Sequence, residues 1–139
     1  MKSIKLLIIT AKFNSVITDE LLEGALEQAK KQCCEVEIKY VPGAVELPLA
    51  AQIAARSKKY NAVIVFGAVI YGKTDHYYYV CDIVSQGCMR VMLDESFPIV
   101  FGVLTVKTIE QALERVGANN SKTHMGKEAV LSAIDLVDF

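Results

Sequence analysis

Strand-like apolar runs and helix-period segments take turns along this 139-residue chain, and that alternation restricts its fold more than any single residue does. The first run, residues 4–10, is rich in isoleucine and leucine and ends in a polar loop, which predicts a buried strand. A helix is expected next. Thr18 is its candidate N-cap, Asp19 and Glu20 suit its first turn, and Ile17, Leu21, Leu22, Ala25, Leu26 and Ala29 share one apolar face. Residues 35–40 alternate charged and apolar side chains as a second strand, broken by Val41-Pro42-Gly43. A second helix is predicted over 44–57, where Pro48 is tolerable only near the first turn. Residues 61–69 form a strand apolar enough to be covered on both faces, and 76–93 a long helix. The pattern then repeats. A fourth strand at 99–105 and a short helix at 108–116 lead to a polar loop at 117–125, then a last helix at 126–137 with Ala129, Val130, Ala133, Ile134 and Val137 inward. Right-handed crossovers between such units give a four-stranded parallel sheet with helices on both faces, an α/β fold in the form of a three-layer α/β/α sandwich. Ligands in doubly wound folds bind beyond the carboxyl ends of the strands, so the loops at 11–15, 41–46, 70–76 and 105–108 are expected to gather at one edge.

Composition narrows the function classes. With 139 residues, 53% apolar and 22% charged, the chain is expected to be one globular domain spanning 1–139. A formal net charge of −1 and the lack of a basic stripe argue against a nucleic-acid surface, whose phosphate affinity needs a basic imbalance. The apolar run at 4–10 is too short to span a bilayer and is followed by no small-residue cleavage pattern, so no membrane partner and a cytoplasmic location are expected. Cysteines at 33, 34, 81 and 88 have neither redox-pair spacing nor a nearby histidine pair, and read as free thiols; no metal site is expected.

Chemistry-bearing residues fall in the expected loops. Phe13 can stack on a planar ligand and Asn14 can orient it; the plainer reading is a ring that closes the end of the core. Residues 41–48 form a turn into a helix, so free N–H groups and the Glu46 carboxylate can bond a polyhydroxylated ligand, or Glu46 can simply suit a helix N-terminus. Gly72, Lys73 and Thr74 offer a flexible turn, a cation and a hydroxyl at a helix start, a combination suited to phosphate. His76 follows, able to exchange protons near neutral pH, or serving as a surface or capping residue. Arg115 can pair with a phosphate at a site shared with another chain, or be a solvated arginine at a helix C-terminus.

None of these signals is specific alone, but their order is. The stretches Ala11-Lys12-Phe13-Asn14, residues 41–48, residues 67–76, and residues 101–105 running on to Gln111, Ala112 and Arg115 together resemble the lumazine synthase family over nearly the whole chain. The resemblance implies a flavodoxin-like sheet and a transferase that needs no metal or redox cofactor. Its expected reaction condenses 5-amino-6-ribitylaminouracil with 3,4-dihydroxy-2-butanone 4-phosphate to 6,7-dimethyl-8-ribityllumazine, releasing phosphate and water. By the family pattern Phe13 stacks on the pyrimidine, Ala44 and Glu46 hold the ribityl chain, and Val69 and Ile70 contact the ring partly through backbone. Gly72, Lys73 and Thr74 take the phosphate, Arg115 reaches in from the next subunit beside Phe101, and His76 carries protons. A homopentamer with active sites at subunit interfaces is implied.

The chain departs from the family pattern at several of these places. Tyr71 stands where relatives commonly have arginine, and Tyr77 and Tyr78 where they have phenylalanine and an acid. Val45, in the pyrimidine pocket, replaces a usual aromatic, and Met125 replaces a lysine whose charge falls to Lys122 or Lys127. The loop over 117–125 is about two residues longer than in shell-forming relatives, and the chain begins almost directly with its first strand, which together predict a pentamer that does not close into an icosahedral shell. Two other readings stay open: an archaeal-type riboflavin synthase on the same fold, and a catalytically weak pterin- or flavin-binding protein.

Overall fold

The computed structural model describes residues 3–118 and 121–139. Strands β1 (Lys5–Ala11), β2 (Glu35–Val41), β3 (Ala62–Ile70) and β4 (Ile99–Val106) form one sheet in the order β2-β1-β3-β4, and every pairing is parallel. Helices α1 (Ser15–Lys31) and α5 (Met125–Val137) cover one face, and α2 (Leu47–Ser57) and α3 (His76–Glu95) the other. The short α4 (Ile109–Glu114) sends Ala112 into the α1/α5 layer. This is the three-layer α/β/α sandwich that the alternation predicts, with the flavodoxin-like sheet that the family resemblance implies. Strand pleating explains the two cores: Leu6 and Ile8 point to the α1/α5 side, while Leu7 and Ile9 point to the α2/α3 side. No described helix is long and apolar enough to cross a membrane.

Three expectations about helix ends are corrected. Thr18 does not cap α1. The helix starts at Ser15, directly off β1, with Asn14 in the left-handed region at φ 61° and its carbonyl accepting from the N–H groups of Ile17 and Thr18. Asparagine tolerates that conformation, and Thr18 is left buried inside the first turn with its hydroxyl unpartnered. The second helix does not run regularly from 44. Residues Ala44–Glu46 make a single 3-10 turn, because the Glu46 carboxylate bends back to accept the Gly43 N–H at 2.9 Å, and α2 begins only at Leu47. The short helix ends at Glu114, leaving Arg115 as its C-cap.

Helices α1 and α5 meet closely because two glycines lie between them. A Cβ at Gly24 would fall 2.1 Å from the His124 ring, and one at Gly126 would fall 2.1 Å from the Leu21 carbonyl oxygen. His124 caps α5, its Nδ1 accepting the Lys127 N–H at 3.4 Å, and burial first, then the nearby Lys127 charge, lowers its pKa. The loop before α5 is pinned at both ends by the Val116–His124 bridge and by the Met125 N–H donating to the Arg115 carbonyl at 2.8 Å. Asn119 and Asn120, within the loop expected to be longer than usual, lie outside the described residues.

Candidate active site

The strand order reverses between β1 and β3: the chain leaves β1 for β2 on one side and returns to β3 on the other. The crossover loops part there and open a crevice at the carboxyl edge. A cavity of about 300 Å³ occupies it, lined by Phe13 and Asn14 after β1, Gly43, Ala44 and Val45 after β2, and Ala68, Val69 and Ile70 at the end of β3. Gly72, Thr74 and His76 complete the wall together with Tyr77 and Val80 of α3. Its size is at the lower end of the roughly 300–1,000 Å³ of small-molecule sites.

Nine of the residues singled out from sequence are thus brought to one place, and their surroundings separate the alternatives left open for them. Phe13 is 71% exposed, so its ring does not close the core; it stands at the mouth, available to a planar ligand. Asn14 lines the cavity, but its amide is already engaged, Nδ2 donating to the Ala68 carbonyl at 2.7 Å. Its first task is to tie the loop after β1 to the end of β3. Gly72 has no atom within 4 Å of where a Cβ would stand, which leaves open space beside the turn backbone. Thr74 Oγ1 accepts the His76 N–H at 3.3 Å, and the imidazole is exposed at the start of α3. Val45 is 39% exposed on the wall, where an aromatic ring in its place would narrow the cavity.

Four singled-out residues are not on this wall. Glu46 is half-buried beneath it with one carboxylate oxygen committed to Gly43, and Lys73 is exposed on the turn outside it. Phe101, on β4 beside Val65, is 39% exposed, and Arg115 is exposed at the end of α4. Neither Phe101 nor Arg115 borders the cavity of its own chain.

A family model described as 6,7-dimethyl-8-ribityllumazine synthase matches residues 3–139. The chain belongs to the lumazine synthase family. It is accordingly a transferase of riboflavin biosynthesis. The wall also holds residues that had not been given a role from the sequence, and two of them, Tyr77 and Val80, lie beyond the motif stretches. Val80 lies one helical turn beyond His76, so projecting a 3.6-residue period from His76 finds it. Tyr77, noted only as a departure from the family pattern, is a wall residue whose hydroxyl pKa is raised, first by burial and then by hydrogen bonding with Cys81. Ala68 contributes through its carbonyl to Asn14, a contact across 54 positions that no local signal announces.

Proposed function

We propose that this lumazine synthase joins 5-amino-6-ribitylaminouracil to 3,4-dihydroxy-2-butanone 4-phosphate, giving 6,7-dimethyl-8-ribityllumazine, phosphate and water. The observation that carries the reading is the single crevice shared by an exposed aromatic ring, a strand-end backbone, an open glycine turn and a histidine. Phe13 stacks on the pyrimidine while the backbone of Val69 and Ile70 bonds its edge. Ala44 and Glu46 hold the ribityl chain through the turn that Glu46 itself rigidifies. The phosphate sits on the N–H groups of Gly72, Lys73 and Thr74 where α3 begins, a place favourable to an anion.

The chemistry needs proton traffic. The aryl amine attacks the ketone and forms a C–N bond; the carbinolamine loses water, the imine eliminates phosphate to leave an enol that tautomerises to a carbonyl, and the ribitylamino nitrogen attacks that carbonyl and closes the ring with loss of a second water. His76 delivers and removes protons at the reacting oxygen and nitrogen. Much of the rate comes from holding two substrates side by side. His76→Ala is therefore expected to lower kcat roughly tenfold, less than the roughly hundredfold or more usual for a lost acid–base group because proximity still acts, with KM for both substrates nearly unchanged. Steady-state rates at saturating substrate check this, and an unaltered kcat removes His76 from the mechanism.

Incubating the purified protein with both substrates and following lumazine fluorescence and released phosphate tests the reaction itself. Conversion of lumazine to riboflavin would point to the riboflavin synthase reading, and binding of lumazine without turnover to a weak relative.

The assembly we propose is a homopentamer with its active sites between neighbours. Support comes from apolar side chains left on the surface one turn apart: Leu49 (64% exposed) and Ile53 (62%) on α2, Tyr79 (69%) and Ile83 (54%) on α3. The longer loop over 117–125 disfavours closure into a shell, since one misfit recurs at every equivalent contact. Light scattering should give about 77 kDa, five copies of a 15.3 kDa chain. A particle an order of magnitude heavier would contradict the loop argument, and a fully active monomer the shared site.

A further inference from the structure

One cation beside the cavity has no part in the chemistry above. Lys107 follows β4, and its ammonium lies 4.5 Å from the ring centre of Tyr71, 4.8 Å from that of Tyr77 and 4.5 Å from that of Tyr78. It also donates to the Tyr78 hydroxyl at 2.7 Å. The three rings meet one another edge to face, with centres 5.1–6.0 Å apart. Such a cluster turns its electron-rich faces toward a cation and orders around it.

Both ends of this arrangement are anchored. The Lys107 N–H donates to Gln111 Oε1 at 2.8 Å, and the same Gln111 side chain serves the capping box of α4. The Tyr71 N–H donates to the Val106 carbonyl at 2.9 Å, tying the turn after β3 to the strand that delivers Lys107. Tyr77 and Tyr78 belong to the first turn of α3, immediately after His76. Of the three tyrosines only Tyr77 lines the cavity, and Lys107 does not. The hydrogen bond to Tyr78 is also the main reason that the lysine's pKa is raised, so the ammonium stays charged.

We propose that Lys107 is a positioning residue: it clamps the three tyrosines and so fixes the Tyr77 ring as the wall against which the pyrimidine substrate is seated. This rests on the reaction proposed above. It predicts an effect on one substrate only, since the clamp acts through the ring wall and the ammonium is turned toward the tyrosines.

Lys107→Met keeps the length and apolar bulk of the side chain but removes the charge. It should raise KM for 5-amino-6-ribitylaminouracil roughly threefold to tenfold, with kcat and KM for the butanone phosphate within about twofold. Lys107→Arg keeps a cation over the rings and should hold all three parameters near wild type. In protein with ¹³C-labelled tyrosine and no ligand, the Tyr77 ring signals, assigned through Tyr77→Phe, should shift in Lys107→Met and stay in Lys107→Arg. Unchanged Tyr77 signals overturn the clamp whether or not the enzyme turns over. An unchanged pyrimidine KM, or a rise confined to the butanone phosphate, overturns the positioning role. Failure of the unaltered protein to make lumazine overturns the underlying reaction, a result that the labelled spectra distinguish from failure of the clamp.

Discussion

Arg115→Ala should raise KM for 3,4-dihydroxy-2-butanone 4-phosphate about a hundredfold, leave that of the ribitylaminopyrimidine nearly unchanged, and leave thermal stability intact. The geometry of Arg115 separates its backbone from its side chain. Its carbonyl accepts the Met125 N–H at 2.8 Å and its own N–H closes the end of α4, so the Cα position is fixed and survives truncation. The guanidinium is exposed and has no carboxylate partner among the described residues. Removing it therefore costs the fold little. A charge-assisted, two-pronged bond to phosphate contributes about 2–3 kcal/mol, which is the hundredfold expected. Because Arg115 does not border its own chain's cavity, the phosphate it meets in our proposal is a neighbour's. Co-assembling Arg115→Ala and His76→Ala chains should then regain activity, since some interfaces pair an intact Arg115 with an intact His76. A raised pyrimidine KM with a normal butanone phosphate KM contradicts the phosphate role, and no recovery on mixing contradicts the shared site.

Gly126→Ala should be the most damaging glycine-to-alanine change among the described residues, costing about 3 kcal/mol or more. Alanine is the better helix former by about 1 kcal/mol, so propensity alone predicts a gain in α5. Packing decides otherwise. The added Cβ would stand 2.1 Å from the Leu21 carbonyl oxygen and 3.0 Å from the His124 ring. The first obstacle is backbone and cannot rotate away, so α1 and α5 must separate, opening the layer that holds Ala129, Val130 and Ala133. A fall in melting temperature on the order of 10 °C is expected by calorimetry. Gly72→Ala is the internal control for stability, because nothing lies within 4 Å of its Cβ position, and its melting point should stay close to wild type. Equal melting points for Gly126→Ala and Gly72→Ala would show that the α1–α5 contact yields more easily than its geometry indicates.

Much of the fold was legible in residue periodicity, and the helix ends were where it misled. Thr18 with Asp19 and Glu20 carries a local capping signal, yet the chain turns into α1 four residues earlier. The left-handed Asn14 and the burial of Ile17 on the sheet decide that start, and both are properties of the packed unit. Pro48, by contrast, sits in the first turn of α2 as expected, because the missing N–H and fixed φ of proline act locally. At the site, the motifs named most of the wall since they follow strand ends, where a doubly wound sheet leaves loops free to carry chemistry. They gave no sign that the Asn14 amide is spent on Ala68, or that Lys107 lies among three tyrosines.

By itself the sequence determined the alternation of strands and helices, the two apolar faces of the sheet and the order of the motif loops, because each depends on spacing along the chain. Only the tertiary structure decided which loops share the β1/β3 crevice, that Phe13 stands exposed at its mouth, and that the Asn14 amide is bound to the Ala68 carbonyl. Those outcomes come from strand order and side-chain contact between segments far apart in sequence, and residue spacing carries no record of either.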